Sequence, residues 1–419
     1  MFFFSEINEN FVVNPIDKDV RRTLLNTLQQ ILLELNLLID NKSLNEIQEL
    51  PKASIINNIS SEHLNKVNKV SCGWVDLDVY DKEFLDKGIN NIAQANLNIL
   101  WIRFLPELYL SKNAIFADKK QQFLEQINVF TKALKEKYKS LNKPLPKIFI
   151  GLEMTGNYKN KVVNEYIKDI YGHSYTKIPT PFNFDEFWKT ELLDVFDEFY
   201  NQWQTIANGL PIDGIFLDFE MYHAQDQTAE FPATCDFSNS AWNLYLEKTN
   251  QNIELFNTKN RINCLYKEKK LNQYFEVLKN EAYNLGKKIK EHIKAKSPDI
   301  VIGAYMPNLP SEWFYLGVIA GLSSKEEPII FATFNNEFYA HKQWLEQNKI
   351  YCSHITAILL SKFNNQESFK LIKYLNQDHD GVWFNRFSRL GQKYEENKWW
   401  SNESTSFDHD LIIKEIKNI

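Results

Sequence analysis

The chain has no GxGxxG turn and no GxxxxGK[ST] loop, so it lacks the glycine-rich cradles that hold dinucleotides or nucleoside triphosphates at the head of a helix. Cysteine is scarce. Cys72, Cys235, Cys264 and Cys352 lie far apart with no CxxC spacing, which argues against a disulfide framework and a structural zinc. The 8 histidines are scattered, with neither HxH nor HExxH, so zinc-hydrolase chemistry lacks its usual ligands. A GxSxG elbow, which would support a serine nucleophile, is also missing. Positive charge is in deficit: 48 basic against 54 acidic residues leave a net charge of -6, which offers no field to a polyanion, and nucleic-acid binding is not expected. The start, Met1-Phe-Phe-Phe-Ser-Glu6, has a short apolar run and no basic residue before it, so it does not read as a secretory signal. Cytoplasmic residence without membrane association is the expectation.

What is present is an ordinary globular composition, with 44% apolar and 24% charged residues, enough to bury a large core. Residues 1–68 form a separate N-terminal extension and linker. Within it, Leu24, Leu28, Ile31, Leu32, Leu35 and Leu38 recur at helical spacing over 18–40, with Arg21, Arg22, Gln29 and Gln30 between them. This amphipathic helix is too short and too polar to span a bilayer, and residues 41–68, rich in Asn and Ser, read as a connection.

From residue 69 to 419 short β-rich runs alternate with longer amphipathic stretches, the grammar of βα units on a parallel sheet. The runs are 70–79, 97–104, 147–154, 213–220, 300–306, 329–334, 355–361 and 380–386. Helix-like segments lie between them at 82–97, 119–141, 187–206, 263–296 and 368–375. Eight repeats close naturally into a (β/α)₈ barrel with an N-terminal helical extension, whereas an open wound sheet more often has five to seven strands. The stretches after the third and fourth runs, 155–186 and 221–240, are the longest. In such barrels these loops cover the C-terminal mouth, where active sites are built.

The fourth run, Asp213-Gly-Ile-Phe-Leu-Asp218-Phe-Glu220, carries the strongest signal. Period-2 geometry puts Gly214, Phe216, Asp218 and Glu220 on one face and Ile215, Leu217 and Phe219 on the other. The apolar set belongs against the surrounding helices, so the acidic set faces the barrel axis. Two carboxylates about 7 Å apart along a strand repel one another in a partly desolvated mouth. One pKa then rises while its neighbour stays ionised, the pairing that proton donation to a glycosidic oxygen needs.

This segment resembles the fourth-strand DGxDxDxE signature of family-18 chitinases and endo-N-acetylglucosaminidases, and is more weakly similar to the DGxWxDxNE-type strand of family-31 α-glucosidases. The first resemblance implies that Glu220 protonates the leaving oxygen and that Asp218 orients the substrate's acetamido group; the second implies that Asp218 is the nucleophile. Phe216 departs from the chitinase pattern, which has an acid there. A glutamate on the seventh run, the nucleophile of the largest barrel-glycosidase clan, is missing, since 355–363 reads Ile-Thr-Ala-Ile-Leu-Leu-Ser-Lys-Phe.

Other run ends bring candidates to the same mouth: Asp76 and Asp78 on a shared face of the first, Arg103 on the second, Glu153 on the third, Tyr305 on the fifth, Asn385 and Arg386 on the eighth. Aromatics make up 14% of the chain, and Tyr222, Tyr305 and Trp383 are candidate platforms for a sugar face. The catalytic set is therefore Glu220, Asp218 and Glu153, and the substrate-binding set is Asp76, Asp78, Arg103, Tyr222, Tyr305, Trp383 and Asn385. The expected partner is a carbohydrate substrate, with no cofactor. Two other readings use the same residues. A metal-dependent isomerase or phosphoesterase would bind Mg²⁺ or Mn²⁺ through Asp76, Asp78, Glu153, Asp218 and Glu220; a non-catalytic carbohydrate-binding barrel would cleave nothing. The basic runs 266–270 and 287–290 read as a solvated helix face.

Overall fold

Runs dense in Val, Ile, Leu and aromatic residues suit strands buried on both faces, and eight of them pair side by side in this protein. The computed structural model describes residues 69–80, 83–104, 106–110, 114–153, 165–168, 172, 174–219, 236–251, 258–306, 313–334, 345–360, 380–390 and 408–418. The strands are β1 (Val70–Val75), β2 (Ile99–Phe104), β3 (Lys147–Glu153), β4 (Gly214–Asp218), β5 (Val301–Tyr305), β6 (Ile329–Thr333), β7 (Cys352–Leu359) and β8 (Gly381–Asn385). Every neighbouring pair is parallel, and the order β1-β8-β7-β6-β5-β4-β3-β2 closes on itself. The fold is a (β/α)₈ barrel. Each expected run holds one strand, although β7 starts at Cys352, ahead of the expected Ile355.

The longer helices are α1 (Leu85–Ala95), α2 (Ala114–Ser140), α3 (Asp194–Ile206), α4 (Asn239–Thr249), α5 (Thr258–Lys267), α6 (Leu271–Lys296), α7 (Trp313–Leu322) and α8 (His409–Ile416). The long helical stretch expected over 263–296 is broken in two, because Lys269 turns into the left-handed region at φ 57° between α5 and α6. A wider π-helical segment, Phe184–Leu193, leads into α3. Asn96 and Asn250, both left-handed, end α1 and α4. The expected helix over 18–40 and the helix-like segment 368–375 lie outside the described residues.

Alternation along the strands sorts the barrel into two cores. Leu100, Ile102, Ile148, Ile150, Ile215, Leu217 and Phe219 face outward and pack with the helices. Cys72, Ile99, Trp101, Phe149, Phe216, Tyr305, Ile330, Ala332, Ile355, Ala357 and Trp383 fill the inside. Three of the inner rings lie where the next strand has a glycine: Trp101 meets Gly151, Phe149 meets Gly214, and Phe216 meets Gly303. A Cβ at Gly303 would come within 2.5 Å of Phe216, so the large-against-small pattern lets bulky rings share one narrow interior. Phe216 is thus explained by packing. It stacks on Trp101 at 4.2 Å between centroids and is fully buried.

Candidate active site at the barrel mouth

The fourth-strand segment divides along its length. Asp213, its first acid, lies below the start of β4, at the end away from the mouth. Its Oδ1 is 2.8 Å from Lys147 Nζ, and its Oδ2 accepts the Ile148 backbone N–H at 2.9 Å, so it staples β3 to β4. Asp218 closes β4 at the opposite end. It is 4% exposed, on the inward face, one layer nearer the mouth than Phe216. In register it sits beside Glu153 on β3 and Tyr305 on β5. The backbone just after it is held from outside, where the Tyr315 hydroxyl on α7 donates to the Phe219 carbonyl at 3.1 Å and the Phe219 N–H donates to the Tyr305 carbonyl at 3.2 Å. Glu220 and Tyr222 lie outside the described residues, and for Glu153 only the backbone position is described.

A second acidic centre forms where β1, β2 and β8 end. The expectation that Asp76 and Asp78 share a strand face is corrected here: β1 stops at Val75, and Leu77–Val79 forms a tight 3₁₀ turn. Asp76 is 8% exposed while Asp78 is exposed, yet the turn lets the two side chains hydrogen-bond. The Asp76 N–H donates to Ser388 Oγ at 3.1 Å. Its Oδ2 lies 3.5 Å from both Arg103 Nη1 and Arg389 Nη2. Arg103 also stands 5.7 Å over the Trp74 ring. Burial pushes the Asp76 carboxyl up to about 7, assisted by the hydrogen bond and the charge of Asp78 and opposed by the two arginines. Desolvation prevails because both guanidinium contacts are long, well beyond the 2.7–2.9 Å typical of a tight charge-assisted bond. Arg389 had no signal in the sequence; it reaches the acid from a short 3₁₀ turn after β8.

Two of the aromatic candidates, Trp383 and Tyr305, are packed inside the barrel. Trp383 is 2% exposed and its indole N–H donates to the Thr333 carbonyl at 3.0 Å. Tyr305, 4% exposed, meets Trp101, Trp383 and Phe334 edge-on at 5.5–5.6 Å. Asn385 is half-buried at the tip of β8, where Arg386 turns left-handed at φ 59° and ends the strand.

The long connections after β3 and β4 are tied together by a buried polar latch. The first contains a small antiparallel hairpin, Tyr166–Lys168 with Ser174–Pro179. Asp236, fully buried, accepts from Thr180 Oγ1 at 3.0 Å and from the Ser238 N–H at 2.9 Å. Its own carbonyl accepts the Tyr274 hydroxyl at 2.7 Å. Glu165 accepts the N–H groups of Asn239 at 2.6 Å and Ser240 at 2.9 Å, satisfying the exposed donors at the start of α4, which Ser238 caps. Desolvation pushes Asp236 up to about 6 against the hydrogen bonds from Ser238 and Thr180. Among the described residues no three side chains of His, Cys, Asp and Glu converge as the ligands of a metal ion would, and no helix is long and apolar enough to cross a membrane.

No family model matches the chain, and no curated protein sequence matches it. Solved structures are similar in fold. β-Galactosidase from Bacillus circulans sp. alkalophilus superposes with a TM-score of 0.52 at 10% identity, over 84% of this chain and 56% of that one. β-Galactosidase from the psychrophilic Marinomonas ef1 gives 0.51 at 7% identity, over 83% of this chain and 58% of that one. The likeness is one of barrel architecture, and this chain spans little more than half the length of those enzymes.

Proposed function

We propose that the protein is a glycoside hydrolase acting on an oligosaccharide or glycoconjugate at the barrel mouth, with Asp218 and Glu220 as its working carboxylates. The observation that carries this reading is the placement of Asp218: a buried acid at the C-terminal tip of an inner strand, level with Glu153 and Tyr305 on the strands to either side. The C-terminal ends of barrel strands are where the side chains that do chemistry in such folds are placed. Cleavage of a glycosidic bond needs one carboxyl that delivers a proton to the leaving oxygen and a second that acts as nucleophile or base. Glu220 takes the first role in this proposal, Asp218 is its charged neighbour or the nucleophile, and Glu153 is a further catalytic acid. Asp76, Asp78, Arg103, Tyr222, Tyr305, Trp383 and Asn385 line or support the substrate cleft. The β-galactosidases of similar fold lend support through their shared barrel.

The test is a panel of aryl α- and β-glycosides together with natural glycans, assayed with and without a chelator. Cleavage of one of these, insensitive to chelator, is the expected result. Glycan binding with no cleavage anywhere in the panel contradicts the catalytic reading, and chelator-sensitive turnover of a phosphoester contradicts the substrate class.

A further inference from the structure

A groove among the described residues lies away from the mouth. α1, α2 and α8 enclose a groove of about 480 Å³, within the roughly 300–1,000 Å³ of small-molecule sites. Asn98, just past α1, leads directly into β2, so the groove sits at the rim where the strands begin. Its lining includes the apolar Ala93, Leu141 and Ile413 together with Lys137, Lys143, Lys414 and Lys417, against the single acid Asp410.

From this arrangement we infer that the groove is a binding site for a small phosphate-bearing molecule. Lysines gather at helix C-termini to complement the dipole, and Lys137 and Lys414, in the last turns of α2 and α8, obey that rule. Lys143 and Lys417 lie beyond those helices, and all four still line one concavity. None of the four forms an ion pair among the described residues, in contrast to α6, where Lys287 pairs with Glu291 and both Lys290 and Lys294 with Glu327. The lysines come from two chain segments far apart in sequence, so it is tertiary packing that brings them to the lining of one concavity. Lys143 is already positioned, its Nζ donating to the Ala93 carbonyl at 3.0 Å. Ammonium groups without a planar arginine fork suit a phosphate, which they meet as point charges, better than a carboxylate held in two parallel bonds.

Titration of the full chain with inorganic pyrophosphate at low ionic strength, read by calorimetry and by ³¹P line broadening, tests this. One saturable site is expected, with Kd raised at least about tenfold in Lys414→Ala/Lys417→Ala and unchanged in Lys287→Ala on α6. Lys137→Gln gives the same comparison if the double variant does not fold. Non-saturable binding, or a Kd unmoved by the groove variants, overturns the proposal. A parallel sedimentation with phosphatidylglycerol vesicles separates a soluble ligand from a lipid headgroup: capture by vesicles without pyrophosphate binding also overturns it.

Discussion

Replacing Asp236 by Asn should reverse part of the protein's pH dependence. The wild-type carboxyl is wholly buried and pushed from 3.8 up to about 6, mainly by desolvation, with only partial compensation from Ser238 and Thr180. A folded-state pKa above the unfolded one means that the native state binds the proton more tightly. The stability this contributes is fully present below about pH 4 and is lost as pH rises through about 6. The interval of about two pH units corresponds to ~3 kcal/mol. Asparagine keeps an acceptor for the Ser238 N–H and carries no charge, so Asp236→Asn should gain about 3 kcal/mol relative to wild type between pH 4 and pH 8. Urea unfolding of both proteins at the two pH values gives this difference of differences directly, independent of any fixed cost of losing the Thr180 contact. An offset that stays constant with pH, or that moves against the variant as pH rises, would refute the account of the latch.

Three further outcomes follow from the inner core and the acidic centre. Phe216→Ala should cost about 3–5 kcal/mol in denaturant unfolding, because the ring is fully buried against Trp101 and its neighbours cannot collapse into the space; a loss under about 1 kcal/mol would contradict the packing role. Phe216→Asp, which restores the acid of the chitinase pattern, should be at least as destabilising, since it places an unpaired carboxylate in an aromatic interior; a folded, stable variant would show that the interior admits charge. Arg389→Gln removes one of the two guanidinium groups that lower the Asp76 pKa, so the carboxyl midpoint in ¹³C NMR should move up from about 7, and a downward move would contradict the assignment.

Much of the barrel was readable because its strands are buried on both faces and therefore appear as dense apolar runs. The start of β7 was hidden, since Ser353 and His354 are buried polar residues: the His354 Nε2 shares a 2.8 Å hydrogen bond with Thr333 Oγ1, and the His354 backbone N–H donates to Asp380 Oδ2 at 2.9 Å. α7 showed no amphipathic stripe because all of Trp313–Leu322 is buried, so the pattern used to find helices has nothing to detect. The inward face of β4 was correctly deduced from period-2 spacing, as Phe216 and Ile215 fall in different cores. The latch of Glu165, Thr180, Asp236 and Ser238 was invisible because its members meet only through tertiary folding. Likewise, the 3₁₀ turn that brings Asp78 against Asp76 breaks the strand alternation on which the expectation rested.

The central claim rests on Asp218 at the tip of β4 and on Glu220 two residues further along the chain, and turnover by Asp218→Asn and Glu220→Gln on a glycoside that the wild type cleaves tests it most directly. The account predicts that both variants keep the wild-type unfolding transition and lose about a hundredfold to ten-thousandfold in kcat, the usual weight of a positioned acid or base. Folded variants that turn over the same glycoside at the wild-type rate would contradict it.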